Sequence, residues 1–284
     1  MANRFPQQAG RVFAVLVPAG VRARWNALDP REARLLRYLL PLGLLYALAI
    51  AWAVYDRLSE TAPGRVDLPD FNAIEDAAER KQAFIEFLEP IVEHENERVI
   101  VQREQLLEIL EELESGGTAS GLEQAWLAGQ ARAYRVKANG DLVRARKLRT
   151  RIDVVPVSLA VAQAALESAW GTSRFARQGN NLFGQWCSTP GCGIVPRKRP
   201  EGATYEVQAF DTVRAAVRTY IHKLNSHPAY APVRSIRAEA RAAGRDPSGT
   251  GLAAGLVNYA AIGEAYVERV RAVIRRNDLE NLDS

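Results

Sequence analysis

Histidine and cysteine are scarce in this sequence, three and two of 284 residues. His94, His222 and His227 show no ligand spacing with one another or with Cys187 and Cys192, so neither a metal nor any other cofactor is expected. Surplus charge is also missing from most of the chain. The formal net charge is +4, yet seven arginines (Arg4, Arg11, Arg22, Arg24, Arg31, Arg34, Arg37) face only Asp29 and Glu32 in the first 37 residues, which leaves +5 there and −1 on the other 247. A near-neutral body lacks the clustered basic face that a phosphate backbone requires, and nucleic acid is excluded as an expected partner. With 48% hydrophobic and 25% charged residues, wholesale disorder is excluded too.

Long apolar runs are limited to one. Tyr38–Tyr55 (YLLPLGLLYALAIAWAVY) offers 18 residues without a formal charge, enough for a helix to cross a bilayer core. Pro41 falls in its first turn, where a missing N–H costs least, and Tyr38, Trp52 and Tyr55 stand near the ends, where aromatic rings favour the interface. The arginines lie on one side only, so the positive-inside rule puts residues 1–37 in the cytoplasm and the rest across the membrane. A buried core helix is the bland alternative. A cleaved signal peptide is another, since Ala51-Trp52-Ala53 fits the small-x-small pattern, but its n-region would be unusually long. The expectation is a single-pass anchor in the inner (cytoplasmic) membrane with the body in the periplasm. In such an exported chain, Cys187 and Cys192 are expected to pair across Ser188-Thr189-Pro190-Gly191, a Pro-Gly turn, contributing roughly 2 kcal/mol.

The remainder reads as mostly helical. A polar linker covers 56–70, and a helical stem rich in Glu and Arg covers 71–151. Within the stem Ile85, Val92, Val99, Leu106 and Leu113 recur every seventh residue, but Glu95 and Gln102 interrupt the intermediate positions that Leu88 and Ile109 fill. That pattern favours helices packed within the chain over a dimerising coil, and Pro90 is expected to end or kink the first of them. From Ile152 a short apolar run leads to Pro156, and Ser158 opens a helix that Gly171 stops. Residues 203–210 alternate as a strand; helices follow at 212–225, 233–243, 251–259 and 264–277, with a tail at 278–284.

Chemistry points first to Glu167, at the C-terminal end of an apolar helix beside Leu166, Ala169 and Trp170. The helix end and apolar neighbours favour the protonated carboxyl, which is the form a glycosidase uses to protonate a leaving oxygen. Next comes Gly179-Asn180-Asn181-Leu182-Phe183-Gly184-Gln185-Trp186, where amides and aromatic faces together suit sugar recognition, although such stretches are also common turns.

The run AQAALESAWGTSRFARQGNNLFGQW resembles the active-site signature of the family-73 N-acetylglucosaminidases, bacterial peptidoglycan hydrolases, over about residues 152–277. The resemblance implies a mainly α architecture: a lysozyme-like α+β catalytic domain with a small β-hairpin, preceded here by the stem and one transmembrane helix. It implies an endo-β-N-acetylglucosaminidase acting on peptidoglycan glycan strands with Glu167 as general acid. It also implies a second acidic residue on the hairpin, for which Glu201 and Glu206 are the candidates. Glu201, in a Pro-Glu-Gly turn, is preferred. Asn181, Phe183 and Trp186 would contact substrate. So would Tyr259, the first of a tyrosine pair with Tyr266, although the family's Asp-Pro between the two is absent and the spacer here is one residue longer. Rival readings are a lytic transglycosylase or muramidase on the same polymer and a non-catalytic wall-binding scaffold. Arg197, Lys198 and Arg199 could meet stem-peptide carboxylates or simply form a solvated turn.

Overall fold

A computed structural model describes residues 68–283 of the protein. The basic tail, the expected membrane span and nearly all of the linker lie outside the described residues, and among the described residues no helix is long and apolar enough to cross a membrane. The first long helix, α1 (Ala77–Glu114), starts at Asp76, whose carboxylate accepts the N–H groups of Ala78 and Glu79 at 2.8 Å. Pro90 does not end it. The carbonyl of Glu86 that loses its donor lies, like Pro90 itself, on the exposed side, where water can replace the missing bond.

The heptad pattern of α1 is read by its own chain. Ile85, Val92, Val99 and Leu106 are buried, and the two interruptions are anchor points. The buried Glu95 carboxylate accepts from Arg214 (2.5 Å) and Arg218 (2.8 and 3.0 Å), and Gln102 Oε1 accepts from the Tyr134 hydroxyl at 3.0 Å. Helices α2 (Gly121–Ala133), opened by a Ser120–Glu123 capping box, and α3 (Asp141–Arg149) complete this segment.

Helix α4 (Val157–Ser168) is largely apolar, and every residue from Val157 to Ala165 is buried, so it is the core helix of the fold. Its start is held from outside. Asn96 of α1 exchanges hydrogen bonds with Val155 (2.8 and 3.1 Å), and Asp283 accepts from the Ser158 N–H (2.9 Å) and hydroxyl (2.6 Å). Residues read as a C-terminal tail are therefore part of the core: Leu279–Asp283 forms a 3-10 turn with Leu279 buried. Likewise the stem is no separate stalk, because α1 packs along α4 and the described residues form one compact unit.

A short helix α5 (Arg174–Gly179) leads to a three-stranded antiparallel sheet of β1 (Trp186–Cys187), β2 (Gly193–Ile194) and β3 (Glu206–Gln208), in the order β1-β3-β2. Trp186 pairs with Val207 and Cys187 with Glu206, while Gly193 pairs with Gln208. The expected hairpin thus has β3 at its centre, and the long strand expected at 203–210 shrinks to three residues. Helices α6 (Val213–Ser226), α7 (Ala231–Ala242), α8 (Gly249–Leu252) and α9 (Glu264–Arg276) follow. The helix expected at 251–259 breaks into α8 and a 3-10 turn, Ala253–Leu256, where Gly255 touches α7 so closely that a Cβ would lie 2.4 Å from the Val233 nitrogen. The protein is mainly helical with one small sheet.

Candidate active site

Glu167 occupies the last turn of α4, and the chain leaves that turn in an unusual way. Ala169 (φ 51°), Trp170 (φ 57°) and Gly171 (φ 78°) all take left-handed backbone conformations. For Ala and Trp this costs about 1 kcal/mol or more each, so the surroundings must impose it. Ser168 does so from within, its hydroxyl donating to the Ala164 carbonyl (2.6 Å) and accepting the Gly171 N–H (2.8 Å). From outside, Phe84 of α1 meets the Trp170 ring edge-on at 5.7 Å, and a Cβ on Gly171 would lie 2.4 Å from the Phe71 ring. The segment read as a stem therefore braces the turn that follows Glu167.

A line of side chains fixes the carboxyl. Tyr220 of α6 donates to Gln163 Oε1 (2.7 Å), Gln163 Nε2 donates to the Tyr266 hydroxyl (3.0 Å), and that hydroxyl donates to Glu167 Oε1 (2.8 Å). Gln163 is completely buried one helical turn before Glu167, and Tyr220 and Tyr266 are buried as well. Burial pushes the Glu167 carboxyl above its ordinary range, opposed by the Tyr266 hydrogen bond and the Lys223 charge. The same burial, with Glu167 nearby, raises the Tyr266 phenol, so it stays a donor. Glu167 Oε2 makes no hydrogen bond within the described residues. Gly184, at φ +60°, sits against it, and a Cβ there would come within 3.0 Å. Oε1 is thus the held oxygen and Oε2 the one free to carry a proton.

The loop after α5 supports this arrangement by means other than sequence alone indicates. Asn181, expected to bind sugar, is buried and directs its amide into the loop: Nδ2 donates to the carbonyls of Gln185 and Gln208 (both 2.8 Å), and Oδ1 accepts from the N–H groups of Phe183 (3.3 Å) and Gln185 (3.0 Å). Phe183, also expected at the ligand, is buried and stacked on Tyr220 at 4.0 Å. Its carbonyl accepts the Tyr259 hydroxyl (2.9 Å), and the half-buried Tyr259 ring stacks on Tyr266 at 5.2 Å. Trp186 is different: it is 55% exposed and meets Tyr205 edge-on at 4.7 Å, leaving an open aromatic face beside the sheet.

The two acidic candidates on the sheet separate clearly. Glu206 is buried, and its carboxylate accepts the N–H groups of Gly191 (3.1 Å) and Gly193 (2.8 Å), which hold its pKa down. It clamps the loop closed by the Cys187–Cys192 disulfide, which forms as expected with Cα atoms 6.3 Å apart. Cys187, Cys192 and Glu206 lie close enough together to suggest a metal site, but the disulfide and those two N–H bonds occupy their ligand atoms. Glu201 is exposed in the turn joining β2 to β3, with no hydrogen bond or ion pair among the described residues. Arg199, beside it, donates to the Tyr205 carbonyl at 3.3 Å.

Sequence reasoning singled out none of Gln163, Tyr220 and Lys223, and named Tyr266 only as the second of a tyrosine pair whose first member, Tyr259, is expected to contact substrate. A usable signal existed for Gln163, a polar residue four positions before Glu167 in an otherwise apolar helix. Lys223 carries none: its Nζ lies 6.0 Å from the Tyr259 ring only because α6 passes there.

Over residues 143–279 the chain matches the family described as Glucosaminidase: Mannosyl-glycoprotein endo-beta-N-acetylglucosaminidase. It is 32% identical over 212 residues to Protein bax of Escherichia coli (strain K12), covering 74% of each chain. Among solved structures it is similar to the catalytic domain of the autolysin Auto from Listeria monocytogenes, with 18% identity over 59% of this chain and 90% of that one and a TM-score of 0.35.

Proposed function

The chain belongs to the glucosaminidase family and is a glycoside hydrolase, and from that premise we propose that it cleaves the β-1,4 bond after N-acetylglucosamine in peptidoglycan, with Glu167 as general acid. The observation that carries this reading is the asymmetry of the Glu167 carboxyl. Tyr266 pins Oε1 at 2.8 Å, burial favours the protonated form, and Oε2 is left to deliver a proton to the departing sugar oxygen. Among the acidic candidates on the sheet, Glu201 is the one whose carboxylate is free to act at the opposite face of the sugar, because Glu206 is engaged with Gly191 and Gly193. Trp186 and Tyr205 supply an aromatic platform on which a sugar ring can lie.

Anchoring belongs to the same proposal. The apolar run at 38–55 with arginines on its N-terminal side supports a single membrane helix, with the catalytic unit in the periplasm, and the disulfide suits that oxidising compartment. The test is a peptidoglycan zymogram of the full chain, wild type beside Glu167→Gln, with mass spectrometry of the released muropeptides. The expected result is clearing by the wild type alone and new reducing ends on N-acetylglucosamine. Anhydro-muramic ends, or equal clearing by both proteins, would overturn it.

A further inference from the structure

Lys223 stands beside the candidate acid with no hydrogen-bond acceptor for its ammonium among the described residues. It is half-buried on α6 and makes no hydrogen bond or ion pair among the described residues. Its Nζ lies 6.0 Å from the Tyr259 ring centroid, Tyr259 stacks on Tyr266, and Tyr266 bonds the acid, so the ammonium belongs to the group of side chains around Glu167. Glu167 is the carboxylate whose charge acts on it, and Glu167 is the very group that burial holds toward its neutral form. A partly desolvated ammonium with no acceptor is unfavourable on its own, and the imbalance is relieved if the acceptor arrives with the ligand.

The polymer offers an acceptor next to the bond that is cleaved. In a GlcNAc–MurNAc strand the oxygen that Glu167 would protonate is O4 of N-acetylmuramic acid, and the lactyl group hangs from the neighbouring O3. We propose that Lys223 binds the free lactyl carboxylate of the departing N-acetylmuramic acid, and so selects glycan strands from which the stem peptides have been removed. In a peptide-bearing strand the same carboxyl is an uncharged amide, a weaker acceptor for an ammonium than a carboxylate is. The inference rests on the peptidoglycan reading above and specifies its substrate. It also places an amidase-type reaction, which hydrolyses the bond between lactyl group and peptide, ahead of this one.

The experiment compares kcat/KM of the full chain on two peptide-free GlcNAc–MurNAc glycans, one with free lactyl carboxylates and one with those carboxyls converted to primary amides. The wild type is expected to favour the free acid by about tenfold or more, the worth of one charge-assisted hydrogen bond. Lys223→Met is expected to lose that preference, the ratio of its rates on the two glycans falling toward one, and Lys223→Arg to keep it. A general structural role would slow Lys223→Met on both glycans equally, and that result overturns the proposal. Equal rates for the wild type overturn it without any variant, so a failure of Lys223→Met to fold does not shelter it. Cleavage of neither glycan by the wild type is a separate failure, which overturns the function reading itself and this inference with it.

Discussion

Replacing Tyr266 by phenylalanine removes one oxygen from the centre of the site and should be felt in two ways. The hydroxyl donates to Glu167 Oε1 at 2.8 Å and accepts from Gln163 Nε2 at 3.0 Å. Without it the amide of Gln163, a completely buried residue, has lost its acceptor. An unpaired buried polar group costs about 2 kcal/mol, which for a fold of this size lowers Tm by roughly 4–8 °C. The second effect is on the acid. A hydrogen bond donated to a carboxylate favours the ionised form, so the Tyr266 hydroxyl pulls the Glu167 pKa down against the burial that raises it. On the proposed role Glu167 works only when protonated, so the rate should fall as pH rises through that pKa. In Tyr266→Phe the pKa moves further up, and the falling limb of kcat/KM against pH should move to higher pH even as the maximum rate drops. Tyr259→Phe is the control, because its hydroxyl bonds the Phe183 carbonyl and not the acid. A limb in Tyr266→Phe that stays in place, or moves to lower pH, would refute the account of how Glu167 is tuned.

Glu167→Gln should abolish hydrolysis and stabilise the fold at neutral pH. Because burial raises the folded-state pKa of Glu167, its contribution is fully present below the unfolded value and lost as pH rises through the folded value; denaturant melts should show the gap over wild type opening with pH and vanishing in acid. Glu206→Gln should leave hydrolysis near wild type while Glu201→Gln removes most of it, and the Cys187–Cys192 loop should be reduced faster by dithiothreitol, read by alkylation and mass. The reverse ranking in activity would reassign the second acid. The stability that Glu206 contributes is present above its unfolded pKa and lost as pH falls through its lowered folded value. Phe84→Ala, in a helix outside the matched family region, should cost about 3–5 kcal/mol by emptying a fully buried site, and should also depress kcat by loosening the Ala169–Gly171 turn. Loss of stability with kcat unchanged would sever that link.

Much of this protein is legible in one dimension because the relevant forces act between near neighbours in sequence. The helical periods of α1 and α6, the punctuation at Gly171 and the Pro-Gly loop between the cysteines are local patterns, and the elements form close to where those patterns put them. Glu167 is legible for the same reason: its apolar helix and the glycine after it lie within a few residues. The limits of such a reading have a common character. An asparagine, a phenylalanine or a glutamate looks equally available for ligand whichever way it points. The fold decides that Asn181 turns its amide into its own loop, that Phe183 stacks beneath the site on Tyr220, and that Glu206 meets two N–H groups across the sheet.

Glu95 and Gln102 make the point in the stem, where polar residues that looked like faults in a seam proved to be the places where α1 is bonded to Arg214, Arg218 and Tyr134. The sequence by itself determined which residues could form helices, which two cysteines would pair and which carboxyl stands at the end of an apolar helix. Only the tertiary structure decided that Tyr266, 99 residues from Glu167, holds that carboxyl, and that the Lys223 ammonium lies over the Tyr259 ring beside it. The reason is physical: propensity and periodicity are properties of a segment. A hydrogen bond to Glu167, the loss of water around it and an ammonium placed over a neighbouring ring exist only once distant segments are brought within a few ångströms.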